Sequence, residues 1–325
     1  MILALETSCD DTCAAVVTHD GHVRSSVVSS QGIHDRYGGV VPEIASRHHL
    51  ELVNAVVDDA LARAHATLDD VDLVAVTQGP GLVGALLIGV ATAKALAAAR
   101  RLPLAPVDHL QGHVAANFLA PDPIAPPFLC LIASGGHTLL AEVTEHGSHR
   151  RLGQTLDDAA GEAFDKGARL LGLGYPGGPA LSQLATEGDP TAFAFPTAAR
   201  VAGLDFSFAG LKTALLYATR DLGPQETQHR AADLAASYEH AIVEALIARV
   251  ERAVKAEPGA RLAIGGGVAA NRRLRERAAG LGIEVKIPPP ELCTDNAAMI
   301  GSAARWVDPV PFPGYLGLDA YPTAA

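Results

Sequence analysis

ILALETSCDDTCAAVVTHDGHVRSSVVS, residues 2–29, decides the fold because PFLCLIASGGHTLLAEVTEHGSHRRLGQ, residues 127–154, repeats its plan. In the first copy an apolar strand, Ile2–Glu6, enters a small polar turn, Thr7–Asp11. A second strand, Thr12–Thr18, meets Asp20-Gly21, a strong hairpin signal, and a third strand covers His22–Ser29. In the second copy the strand Pro127–Ala133 enters Ser134-Gly135-Gly136. The strand His137–Thr144, the turn His146-Gly147 and a strand near Arg151–Gln154 follow. The parallel extends further. Asp72–Gln78 runs into the glycine turn 79–84 and a helix to about Arg100, and Arg261–Ile264 runs into Gly265-Gly266-Gly267 and a helix through Arg277. Such repetition predicts an α/β protein of two duplicated lobes facing a central cleft. Apolar stripes at helical spacing predict further helices over Pro42–His65 and Glu226–Ala256, with a shorter one over Asp295–Trp306. The expected division is a first lobe over 1–108, a second lobe with helical insertions over 109–305, and an extended tail over 306–325 rich in Pro and Gly.

Composition narrows the class. At 325 residues the chain exceeds the ~250–300 at which single cores stop growing, so two lobes are expected. With 49% hydrophobic and 19% charged residues it reads as soluble and globular. The stretch Leu82–Ala99 comes nearest to a membrane span, but Lys94 interrupts it, and no membrane association is expected. The N-terminus lacks a basic region and a cleavage signature, so no secretory signal is read. Cys9, Cys13, Cys130 and Cys293 form no C-x-x-C pair, which suits a reduced cytoplasm. A net charge of −11 argues against non-specific nucleic-acid binding by the surface as a whole. It leaves room for a local basic patch at Arg272, Arg273, Arg275 and Arg277, with Lys212 and Arg47 as additions. That cluster reads equally as a solvated helix face.

The candidate site residues fall in two groups. The turns at 7–11 and 134–136 offer backbone N–H groups and small hydroxyls, and those at 79–84 and 265–267 open helices whose N-termini favour anions. Four such turns at matching places point to a nucleotide ligand. The second group is His109 and His113 in VDHLQGHVAANF. On a helix, positions i and i+4 share a face, and two imidazoles so placed can grip one cation. The alternative is two ordinary core or surface histidines. Asp295 is either the N-cap of its helix or the carboxylate that completes a two-His, one-carboxylate site. Asp10 and Asp11 either cap a strand end or act on a metal, a water or an amine. A metallopeptidase is disfavoured because Leu110 stands where an H-E-x-x-H site needs glutamate. A scaffold needs no ordered ligand set, and a sugar kinase separates by assay.

At this point a resemblance emerges. ETSCD at 6–10, YGGVVPEIASR at 37–47, GPGLVGAL at 79–86 and the His109/His113 pair appear in order. SGGHT at 134–138, DDAAGEAFDK at 157–166, YPGGP at 175–179, FSFAGLKT at 206–213, GGVAAN at 266–271 and CTDNAAMI at 293–300 follow. Over about residues 2–305 the chain resembles the bacterial type of the universal tRNA N6-adenosine threonylcarbamoyltransferase family, formerly labelled O-sialoglycoprotein endopeptidases. The resemblance implies the actin/Hsp70/sugar-kinase (ASKHA) fold. It implies transfer of threonylcarbamoyl from threonylcarbamoyl-AMP to N6 of adenosine 37 in tRNAs reading codons that start with A. It implies one iron(II) per subunit, with zinc an alternative, held by His109, His113 and Asp295. Donor or adenine nucleotide contacts would come from Ile132, Ala133, Ser134, Gly135, Gly136, Asp165, Gly178 and Asn271. Asp10 is the expected acceptor of the amine proton. The implied partners are tRNA, an inactive paralogue of the same fold and a small ATPase, in the cytoplasm. Asp108 and Gln111 depart from the His and Glu frequent in relatives.

Overall fold

The structure is a computed structural model that describes residues 1–197, 201–257 and 259–323. The chain forms two compact units. The first comprises Met1–Pro126, Glu145–Ser148 and Asp295–Ala325, and the second Pro127–Thr144 and His149–Thr294. The division differs from the sequence expectation of a boundary after 108. The His109 segment stays with the first unit, and the chain returns there at Asp295.

In the first unit the order is β1 (Ile2–Glu6), β2 (Asp11–Val17), β3 (Val23–Ser30), α1 (Pro42–Arg63), β4 (Leu73–Gly79), α2 (Val83–Arg100), β5 (Leu104–Asp108) and α3 (His109–Ala115). The sheet order is β3-β2-β1-β4-β5. β1 pairs antiparallel with β2 (Leu3 opposite Val16) and parallel with β4 (Leu5 opposite Val76), and β4 runs parallel to β5. Every residue of β1 is buried, as a strand covered on both faces requires. The edge strand β3 instead alternates.

In the second unit β6 (Phe128–Ala133), β7 (Thr138–Glu145) and β8 (Ser148–Gln154) precede four helices: α4 (Ala160–Leu170), α5 (Gly177–Ala185), α6 (Ala209–His229) and α7 (Ala231–Ala256). Then come β9 (Leu262–Gly265), α8 (Arg272–Ala279) and β10 (Val285–Lys286). The order β10-β9-β6-β7-β8 mirrors the first sheet strand for strand, so the duplication read from the two opening stretches is real. The expected helix 226–256 is divided. Its first residues finish α6, whose own helical path is interrupted at Gly223 before Pro224, and α7 begins after the non-helical Arg230. After β9 the expected direct helix start is displaced by a 3₁₀ turn, Gly267–Ala270. Gly266 there adopts φ +86°, where a Cβ would fall 2.4 Å from the Ala133 carbonyl oxygen.

Back in the first unit, α9 (Ala297–Ala304) packs on α3. β5 escapes the sequence reading because Pro103 and Pro106 disguise it. Proline is tolerated on an edge strand, and here the tail covers that edge: Leu104 and Val310 exchange N–H···O bonds of 3.0 and 2.8 Å. The expected tail is a fastened strap with a 3₁₀ turn at Gly314–Gly317 and a buried Tyr315; its last two residues lie outside the described ones. Among the described helices α2 is long and apolar enough to cross a membrane. It packs its Ala85, Leu86, Val90, Ala93 and Ala97 face into the unit's core, and Lys94 Nζ donates to the Leu316 and Leu318 carbonyls of the strap.

Candidate metal centre

The parallel strands β1, β4 and β5 end together, and their last residues supply the floor of a buried polar site. Glu6 closes β1, Thr77 lies near the end of β4, and Asp108 closes β5. Ligands in open α/β sheets gather at such carboxyl ends. Asp108 caps α3 by accepting from the Gln111 amide at 3.0 Å, so the helix begins at His109. All seven residues of α3 are buried.

His109 and His113 meet edge to face, their ring centroids 4.7 Å apart. Asp295 Oδ1 stands 3.5 Å from His109 Nε2 and 3.3 Å from His113 Nε2. The three ligand atoms lie within 4.8 Å of one another. Asp295 does not cap the following helix. The side chain of Asn296 does so, accepting from the Met299 amide at 2.9 Å. Close approach of α9 to α3 brings Asp295 in, and Gly112 permits it: a Cβ there would fall 2.8 Å from Ile300 Cδ1. Ser302 Oγ donates to the Ala115 carbonyl at 2.7 Å and ties the same pair of helices.

The group suits a cation. His113 is fully buried, yet neither ring nitrogen makes a hydrogen bond among the described residues. A buried polar atom without a partner costs about 1–3 kcal/mol, and an ion shared with Asp295 removes that cost. The local field also favours positive charge. Burial works against an imidazolium at His109, but Asp295 and then Glu6 raise its pKa to about 9. Burial pushes the Glu6 carboxyl upward, while the charge and hydrogen bond of His109 more than offset it and hold it below its usual range. Asp11 is lifted to about 7 by burial, with Asp295 and Asp10 adding repulsion against the Ser30 hydrogen bond.

The other predicted residues divide. Asp10 is half-buried in the same unit, and its backbone oxygen accepts from the Gln31 amide. Burial and Asp10 together push the neighbouring Cys9 thiol well up. Ile132 and Ala133 end β6, and Ser134 is buried, while Gly135 and Gly136 have open space around them. Asp165 Oδ1 accepts from the amides of Gly177 and Gly178 at 2.9 and 3.2 Å, so that carboxylate shapes the start of α5. Asn271 Oδ1 caps α8 through the Leu274 amide, and its Nδ2 donates to Ser182 Oγ and Glu239 Oε1.

The expectation for the turns of the first lobe is corrected. The turn 7–11 does not present its hydroxyls: Thr7 Oγ1 donates to the Ala85 carbonyl, and Ser8 Oγ lies 3.2 Å from His109 Nδ1. In the turn at 79–84 the amides of Gly81 and Leu82 are taken by the carbonyls of Pro322 and Ser8. The basic patch is also largely consumed. Arg275 donates to the Ala269 and Pro288 carbonyls, and Arg277 makes two bonds to Glu244. Arg273 reaches His240, and Arg47 pairs with Glu43. Sequence reasoning missed Glu6, whose signal was a carboxylate ending an otherwise apolar strand, and Gly112, a small residue between the two histidines.

Among solved structures, component A of the (R)-2-hydroxyglutaryl-CoA dehydratase of Acidaminococcus fermentans matches with TM-score 0.57 and 14% identity, over 94% of this chain and 96% of that one. The HypF protein of T. kodakarensis matches with TM-score 0.62 and 15% identity, over 93% of this chain and 46% of that one. Together with the mirrored sheets they show the fold class, an α/β protein of two five-stranded sheets with the actin-like (ASKHA-type) fold. Within that class the sequence is specific. The family profile described as TsaD: tRNA N6-adenosine threonylcarbamoyltransferase matches residues 22–302. A protein of that name from Anaeromyxobacter dehalogenans strain 2CP-1 is 56% identical over 93% of this chain and 92% of its own length. One from Symbiobacterium thermophilum is 53% identical over 94% and 91%. The chain belongs to the tRNA N6-adenosine threonylcarbamoyltransferase family and is a transferase.

Proposed function

We propose that this protein transfers the threonylcarbamoyl group of threonylcarbamoyl-AMP to N6 of adenosine 37 in tRNAs reading codons that start with A. The observation that carries the reading is the convergence of two buried imidazoles and one carboxylate in a chain of this family. His109, His113 and Asp295 hold one iron(II) per subunit, zinc being able to take the same donors. When bound, such an ion supplies Lewis acidity and a fixed point for aligning the donor.

The chain's residues do the rest. Ile132, Ala133 and the open turn Ser134–Gly136 receive the nucleotide. Asp165 sets the turn that carries Gly178, and Asn271 holds the start of α8 in place for the same ligand. N6 attacks the carbonyl carbon, the bond from that carbon to the phosphate oxygen breaks, and AMP leaves with the electron pair. Asp10 accepts the proton that N6 sheds, a service typically worth ~10²–10⁴ in rate. An exocyclic adenine amine is a poor nucleophile, so its alignment counts as much as its deprotonation.

The net charge of −11 and the internal pairing of the arginine cluster make unaided tRNA binding weak. The family resemblance implies the partners that would make up for this, an inactive paralogue of the same fold and a small ATPase, in the cytoplasm and away from any membrane. The test is reconstitution with purified threonylcarbamoyl-AMP, unmodified tRNA, iron(II) and the partners, scored by mass spectrometry of adenosine 37. Wild type converts the nucleoside, and His109→Ala does not. Unmodified adenosine with the full assembly, or full conversion by His109→Ala, would overturn the reading. Near-normal transfer by Asp10→Ala would remove Asp10 from its role alone.

A further inference from the structure

Glu6 has no role in the transfer proposed above, yet it is completely buried at the end of an otherwise apolar strand. A buried carboxylate is costly unless its oxygens are satisfied. Here they are. The Ser8 amide donates to Oε1, Thr77 Oγ1 donates to Oε2 at 2.5 Å, and His109 Nδ1 lies 3.0 Å from Oε2. An ionised carboxylate only accepts hydrogen bonds, so the proton between Glu6 and His109 belongs to Nδ1. The imidazole then turns its other nitrogen, Nε2, toward Asp295, 3.5 Å away. The two ring nitrogens point apart, which places Glu6 behind the ring and Asp295 in front of it.

We infer that Glu6 is a positioning residue for the metal centre: it fixes the Nδ1–H tautomer and orientation of His109, so that Nε2 is presented as a ligand. Thr77 and Ser8 hold the carboxylate in place. This rests on the reading of His109, His113 and Asp295 as metal ligands. A carboxylate behind a ligating histidine also makes the imidazole a stronger donor, and loss of such a partner typically lowers metal affinity 10–100-fold. His113 has no comparable partner among the described residues. The two histidines are thus unequal: a carboxylate stands behind His109 at Nδ1, whereas His113 Nδ1 has no hydrogen-bond partner among the described residues.

The experiment titrates the purified chain with cobalt(II), following ligand-field absorption, in wild type, Glu6→Gln, Glu6→Ala, Thr77→Val and Asp295→Ala. Circular dichroism checks that each variant is folded. Long-range ¹H–¹⁵N spectra, recorded well above pH 9 where the His109 imidazole is neutral, report its tautomer before metal is added. The expected result is an Nδ1–H signature in wild type, and cobalt affinity weakened 10–100-fold in Glu6→Ala. Glu6→Gln, which keeps an acceptor oxygen, recovers part of the loss, and Thr77→Val shows a smaller one. Wild-type affinity and spectrum in both folded Glu6 variants, while Asp295→Ala loses cobalt, would overturn the inference and leave the ligand set standing. Should Glu6→Ala fail to fold, Thr77→Val and Glu6→Gln decide. Wild-type cobalt binding by Asp295→Ala would instead overturn the ligand set itself.

Discussion

Asn296 caps α9, and its neighbour Asp295 faces His109 and His113. The two adjacent polar residues divide work that either could have done. Asn296→Ala removes a cap, so it costs about 1 kcal/mol of stability, read as a fall in melting temperature, with metal content by elemental analysis little changed. Asp295→Asn keeps the side-chain shape, so stability changes little while metal content falls toward zero. The reverse pattern would mean that Asp295 belongs to the helix and not to the site.

Gly112 lies where a Cβ would press on Ile300 Cδ1 at 2.8 Å. Gly112→Ala therefore forces α3 and α9 apart and costs ~1–3 kcal/mol by overpacking, with weaker metal binding because Asp295 travels with α9. Ile300→Val removes the methyl that the new Cβ meets. In the double variant most of the stability is recovered, which a double-mutant cycle by chemical denaturation measures. Additive effects would show that the two side chains do not press on each other.

Asp11 gives a pH signature. Its carboxyl titrates at about 7 in the folded chain against an ordinary 3.8, chiefly from burial. Between those values the folded state binds the extra proton, so this group's contribution to stability falls as pH rises and is fully lost above 7. Asp11→Asn should raise the melting temperature at pH 8, by an amount corresponding to roughly 2–4 kcal/mol, and be nearly neutral below pH 4. The measurement is made in chelator so that bound cations do not mask the repulsion. Equal effects at both pH values would contradict the burial argument.

The arginine cluster divides in the same testable way. Arg275 bonds the Ala269 and Pro288 carbonyls and Cys293 Sγ, so Arg275→Ala destabilises by about 2 kcal/mol or more. Arg272 is exposed and pairs loosely with Glu276 at 3.6 Å, an ion pair of little worth. Removing a side chain that neutralises one phosphate flattens the dependence of log affinity on log salt by roughly 0.7–0.9. For tRNA binding by the assembled complex, Arg275→Ala and Arg277→Ala should leave that slope unchanged. A flatter slope would return those two residues to the RNA surface.

Much of the fold was legible because it is written in local periodicity. The strands at 2–5, 128–133 and 262–265 are continuous apolar runs, and α1 and α7 carry helical stripes. What failed was local ambiguity. The prolines of 103–108 hid β5, and a helical pattern running across Arg230 hid the boundary between α6 and α7. The arginines of 272–277 looked basic in the sequence because the acidic and carbonyl partners that neutralise them lie elsewhere along the chain.

By itself the sequence determined the strand and helix pattern, the duplication, the histidine spacing and the family, since each depends on residues within a few turns of one another or on ordered motifs. Only the tertiary structure decided that Asn296 takes the cap, that Glu6 stands behind His109, and that the tail closes the edge of β5. Those outcomes turn on which distant groups are packed together. Hydrogen-bond satisfaction in a buried site is settled by neighbours in space, and chain order carries little record of them.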